Sequence, residues 1–136
     1  MTQSKPLVPP AAELLGWRRV TDGPAPGTVE SEYRPDQRML NTRGTVQGGF
    51  VVAMLDDTMG RALANLTEGQ VVPSSIDLNA SFVRPAKPGP LICRGRVVHR
   101  GRSVVFLEAE LFDAEGKLLA RATSSAIPIE IIGRTE

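Results

Sequence analysis

Between residues 48 and 66 apolar side chains recur at helical spacing. Val51, Val52, Leu55, Met59, Ala62, Leu63 and Leu66 share one broad face at about 100° per residue. No proline interrupts the run, and Gly69 follows its end. Phe50 and Met54 fall on the other side of the wheel, so this helix is expected to meet partners on two sides, its own sheet and a second subunit. From Val71 onward the period changes to two. Over residues 75–82, Ser75, Asp77, Asn79 and Ser81 alternate with Ile76, Leu78, Ala80 and Phe82, the pattern of a strand with one buried face. A breaker-rich stretch over 84–90 ends that strand. Residues 91–99, 103–113 and 117–132 predict three more, joined by hairpin-sized connections at 100–102 and 114–116. Upstream, 17–21 and 28–34 read as strands around a turn at 22–27, and 11–15 as a short helix stopped by Gly16. Residues 34–45 read as polar and irregular, and 1–10, with three prolines, as a loose lead-in. One long helix followed by consecutive antiparallel strands predicts an α+β layout, a curved sheet wrapped on a single helix.

Composition narrows the chemistry. At 136 residues the chain suits one domain, 1–136. Sixteen basic against fifteen acidic residues leave a net charge of +1, which removes the electrostatic case for nucleic acid as the partner. The single cysteine, Cys93, builds no disulfide framework, and the single histidine, His99, leaves no two-histidine zinc site and no second imidazole for catalysis. No metal site is expected. The longest apolar stretch, 50–55, is too short to cross a bilayer, and the N-terminus lacks the layout of a secretory signal, so a cytoplasmic protein without a membrane partner is expected.

Two adjacent acids lie within the helix, and the wheel separates them. Asp57 points away from the main apolar face, four residues before Arg61, and reads as an exposed acid with an ion-pair partner. Asp56 falls at the border of the apolar stripe, where partial desolvation favours a role in proton transfer or attack. The alternative is a helix-edge acid bonded to a neighbouring loop. At the helix start, Gln47-Gly48-Gly49 lets a ligand approach free backbone N–H groups, either as an oxyanion hole or simply as a tight loop-to-helix turn. Eight residues of helix separate Gly48 from Asp56 by about 12 Å. A base or nucleophile must come within about 3–3.5 Å of the reacting carbon. If both groups act on one substrate, they come from two chains.

These residues resemble a known family. Asn41-Thr-Arg-Gly-Thr-Val-Gln-Gly-Gly49, followed by Val-Val-Ala-Met-Leu-Asp56, is similar to the signature of the hotdog-fold acyl-CoA thioesterases of the phenylacetate-pathway type. Ser75-Ile-Asp77-Leu-Asn79 and Arg84-Pro85-Ala86 resemble that family's next strand and its exit, and matching features run from about residue 35 to 128. The resemblance implies a hotdog fold paired into dimers or tetramers. It implies Asp56 as catalytic carboxylate, acting as general base toward water or as nucleophile, Gly48 as the N–H that polarises the thioester carbonyl, and Asn41 beside it. It further implies Ser75 as a hydroxyl holding the attacking water, with Ser74 as a one-position alternative. Gln47 stands where the family usually carries histidine; a glutamine amide donates a hydrogen bond but carries no proton. Gly49, Phe82, Arg84, Arg102 and Ser103 are candidates for holding substrate, with Lys87 and Arg100 as further cations for coenzyme A phosphates. His99, Cys93 and Trp17 read as structural.

The leading expectation is therefore hydrolysis of an acyl- or aryl-CoA thioester, with no cofactor beyond the coenzyme A of the substrate. A non-catalytic acyl-CoA-binding hotdog protein is the alternative. A dehydratase is weaker, because such an enzyme needs a catalytic histidine and His99 is badly placed for one.

Overall fold

The long helix forms where its periodicity predicts. The computed structural model describes residues 8–131. In chain order it contains α1 (Pro10–Leu14), β1 (Trp17–Asp22), β2 (Thr28–Tyr33), a 3-10 turn (Gln37–Met39), α2 (Gly48–Leu66), β3 (Val71–Phe82), β4 (Leu91–Arg100), β5 (Val105–Asp113) and β6 (Leu118–Glu130). All of the lead-in before Val8 lies outside the described residues, as does the end of the strand expected to reach residue 132. Gly16 stops α1 for a steric reason: its φ is 74°, and a Cβ there would sit 2.0 Å from the Arg34 carbonyl oxygen.

The six strands form one antiparallel sheet in the order β1-β2-β4-β5-β6-β3. The helix leaves β2 and crosses the sheet, packing on β4, β3, β2 and β5, so the strand after it joins at the far edge beside β6. The helix approaches β4 closely at Gly95, where an added Cβ would lie 2.9 Å from the Thr58 carbonyl oxygen. Leu55, Met59 and Leu63 are buried there among Tyr33, Cys93, Leu107 and Leu111. Truncating one such side chain to alanine costs about 2–5 kcal/mol.

Three expectations need correction. Met54, placed by the wheel on a second, outward side, is fully buried in the core, and Phe50 is half-buried against it. The sheet curls far enough around α2 to cover both, so a second subunit is not needed to explain Met54. Val52 and Leu66, assigned to the main face, are only half-buried. The strand expected from Ser103 begins at Val105, because the Gly101 N–H bonds the Val104 carbonyl at 2.9 Å and takes 101–104 into the turn.

The strict alternation expected over 75–82 also breaks. Ser75 pairs with Ala126 and Asp77 with Ser125, so β3 carries one extra residue, Ile76, at a β-bulge. A one-residue slip exchanges the faces of a strand. Ser75 therefore shares the helix-facing side with Leu78, Ala80 and Phe82, not the outer side with Asp77, and Ile76 is 56% exposed.

Candidate active site

Asp56 sits on the exposed flank of α2, and the Ser75 hydroxyl donates to its Oδ1 at 3.2 Å. This pair is the contact that the bulge creates. The two neighbouring acids exchange the environments expected of them. Asp56 is exposed, whereas Asp57 is half-buried, accepting from the Tyr33 hydroxyl at 2.5 Å and from Arg61 Nε at 2.9 Å. Tyr33 is fully buried and also meets Thr58 Oγ1 at 2.9 Å, while Arg61 stacks over the Trp17 ring at 4.3 Å. The wheel takes Asp57 as solvated because it sees only its own helix; β1 and β2 curl over that flank and close it. Asp57 is thus committed to a structural network, whereas among the described residues Asp56 Oδ2 has no hydrogen-bond partner.

The start of α2 provides a second polar centre. Phe50 and Val51 N–H both bond the Gln47 carbonyl, so among the described residues the Gly48 and Gly49 N–H groups have no carbonyl acceptor. They carry the positive end of the helix dipole. The exposed Gln47 side chain makes no capping bond. A groove of about 540 Å³ opens here, lined by Asn41, Gly48, Val51, Phe82, Arg84 and Leu119 among others. The Phe82 ring forms its wall, and a Cβ on Gly48 would meet that ring at 3.4 Å. Asn41 lines the groove while its side chain holds its own loop, accepting from Arg43 N–H at 2.9 Å and donating to Thr45 Oγ1 at 2.9 Å. Arg84 stands at the rim, donating to the Leu118 carbonyl at 2.7 Å. Arg43, Thr45 and Leu119 also line the groove and were not foreseen; residue type alone carries no signal for them.

The structure brings Gly48, Asn41, Phe82 and Arg84 together, and separately Asp56 with Ser75. Within one chain it does not join the two groups. Ser74 is exposed and pairs with Ile127. At the far end of β3 a second cavity of about 520 Å³ is lined by Val71, Arg100, Gly101, Arg102, Pro128 and Glu130. Ser103 is exposed in the same turn, and His99 is exposed nearby. Cys93 is fully buried, and burial pushes its thiol up to about 12, which removes it as a nucleophile. Among the described residues no group of three His, Cys, Asp or Glu side chains is placed to hold a metal, and no helix is long and apolar enough to cross a membrane.

A single long helix wrapped by this six-stranded sheet defines a hotdog fold, with a carboxylate and a glycine-opened helix start as its polar centres. Residues 43–120 match the family model of the thioesterase superfamily, and the chain belongs to that family of thioester hydrolases. A phenylacetic acid degradation-related protein of Ralstonia eutropha is 39% identical, superimposes with a TM-score of 0.80, and is matched over 91% of its length by 89% of this chain. Human acyl-coenzyme A thioesterase 13 is 31% identical over 99 residues, 71% of this chain and 70% of its own. A Streptococcus mutans protein solved with acetyl CoA bound shares the fold at 20% identity and a TM-score of 0.69, over 76% of this chain and 82% of its own.

Proposed function

We propose that this protein hydrolyses acyl-CoA thioesters at a site completed by two copies of the chain. Water donates a proton to the free oxygen of Asp56, with the Ser75 hydroxyl holding it in place, and its oxygen adds to the thioester carbon. The Gly48 N–H of the second copy stabilises the oxyanion, and Gln47 and Gly49 donate beside it. The carbonyl re-forms as the C–S bond breaks, and the proton taken by Asp56 passes to the departing thiolate. No cofactor or metal enters these steps.

The Asp56–Ser75 contact carries this reading. It lies on β3, a 12-residue strand that among the described residues pairs on one side only, and such an edge invites a second strand. Pairing β3 with its copy about a twofold axis at Asn79 sets Leu78 opposite Ala80 and, across the one-residue bulge at Ile76, Ser75 opposite Phe82 of that copy. Directly opposed residues in an antiparallel pair lie about 5 Å apart. Asp56 beside Ser75 then faces the Gly48 that abuts the opposing Phe82 ring, which spans the 12 Å gap within one chain. The same register sets the cavity with Arg100 and Arg102 beside the groove of the second copy, so one ligand can reach from cations to the apolar wall. Phosphates of coenzyme A at the first and an acyl or aryl chain along Phe82 and Val51 fit that layout.

Thiol release from acetyl-, medium-chain, long-chain and aryl-CoA esters tests the reading on wild type, Asp56→Asn, Gly48→Pro and a subunit-exchanged mixture of the two variants. Turnover of at least one ester, lost in each variant and partly recovered in the mixture, is expected. Full turnover by Asp56→Asn, no recovery despite demonstrated exchange, or no hydrolysis of any CoA ester refutes the carboxylate, the shared site or the substrate class respectively.

A further inference from the structure

We infer that Asp77 and Ser125 are positioning residues, which pin the bulge in β3 and thereby turn the Ser75 hydroxyl toward Asp56. The inference rests on the reading of Asp56 and Ser75 as the pair that activates water. In a regular strand Ser75 would share a face with Asp77 and Asn79 and point away from the helix. The step from Ser75 opposite Ala126 to Asp77 opposite Ser125 resets that parity. Ala126 is fully buried and Ala122, opposite Ala80, is nearly so, which fixes the helix-facing side of β6.

An extra residue can be absorbed at more than one point along a pair of strands, so something must hold it at Ile76. Three bonds converge on the next residue. Asp77 Oδ1 accepts from the Ser125 N–H at 3.1 Å and from the Ser125 hydroxyl at 2.8 Å. The Ser124 hydroxyl donates to the Asp77 carbonyl oxygen at 2.8 Å. A side-chain carboxylate thus stands as acceptor inside the ladder where the bulge disturbs it. Absorbing the extra residue before Ser75 instead would restore the regular ladder at Ser125, take its N–H from the Asp77 carboxylate, and carry Ser75 to the outer face. Both bonds to the side chain end on Oδ1 as acceptor, a role that an asparagine carbonyl oxygen fills and alanine does not.

The test compares kcat and KM of Asp77→Ala, Asp77→Asn, Ser125→Ala, Ser75→Ala and the Asp77→Ala/Ser75→Ala double variant, with Asp56→Asn as reference and a crystal structure of Asp77→Ala. Asp77→Ala should lower kcat about tenfold with KM within about twofold, and Asp77→Asn should restore it. The double variant should be no slower than Ser75→Ala alone, because both lesions remove the same contact. Ser125→Ala, which keeps its N–H, should lose about threefold and carries the test if Asp77→Ala does not fold. An unchanged kcat in both Asp77→Ala and Ser125→Ala, additive losses in the double variant, or failure of asparagine to rescue overturns the positioning role. So does an Asp77→Ala structure that retains the 3.2 Å contact of Ser75 with Asp56, whatever the kinetics. Full activity in Asp56→Asn instead refutes the underlying reading, and the crystal structure still decides whether Asp77 holds the bulge.

Discussion

Asp56 and Asp57 are adjacent, identical in type and opposite in environment, so replacing each by asparagine should separate catalysis from stability. The Asp57 side chain is 21% exposed and its partner Arg61 14%. Asparagine keeps an acceptor for the Tyr33 hydroxyl but removes the charge opposite Arg61, whose Nη2 is already buried without a partner among the described residues. Breaking a fully buried pair costs about 3–5 kcal/mol and an exposed one about 0–1. At this intermediate burial about 2 kcal/mol is expected, a fall in Tm of about 8 °C for a chain this size. Turnover should be retained, since among the described residues the hydrogen bonds of Asp57 go to Tyr33 and Arg61. Asp56 is exposed with one contact, so its replacement should move Tm by about 2 °C or less. Loss of a general base should lower kcat by at least about a hundredfold. Thermal melts and thiol-release rates on the same preparations check both halves. A variant at Asp57 that melts like wild type yet loses turnover, or one at Asp56 that keeps it, would refute the assignment of roles.

Two further outcomes follow from buried groups. Burial first, and then the Asp57 charge, hold the Tyr33 phenol well above its ordinary range. A raised value makes its contribution fully present below about pH 10 and lost as pH rises beyond it. Tyr33→Phe should melt below wild type at pH 7, and the gap should narrow as pH rises above about 10; a constant gap counts against the account. Cys93, buried and pushed up to about 12, should resist an aromatic disulfide reagent at pH 8 in the native protein and react stoichiometrically in denaturant, and rapid native labelling would contradict the packing described.

What the sequence makes legible follows from how local each signal is. The bounds of α2 are written in a proline-free run of helical period, and both meet the structure at Gly48 and Leu66. The hairpin strands carry their own turn chemistry. The environments of Asp56 and Asp57 are not legible, because they depend on β1 and β2, whose position over the helix flank no spacing within the helix reveals. Met54 is misplaced for the same reason: a wheel records direction, and burial depends on how far the sheet curls.

The bulge is the sharper case, because the site depends on it. Read as a regular strand, residues 75–82 give a correct strand whose face is wrong at the position that matters, since period two assigns Ser75 to solvent. The resemblance assigned Ser75 to the site nonetheless, and the two readings conflict until an extra residue is admitted at Ile76. That conflict was itself a signal. A polar residue required on the apolar side of an alternating strand predicts a bulge between it and the next apolar inward position, and Asp77 is the acceptor in that interval. The strand gives up a ladder step at Ile76, and the gain is a hydroxyl aimed at the one exposed carboxylate of the helix.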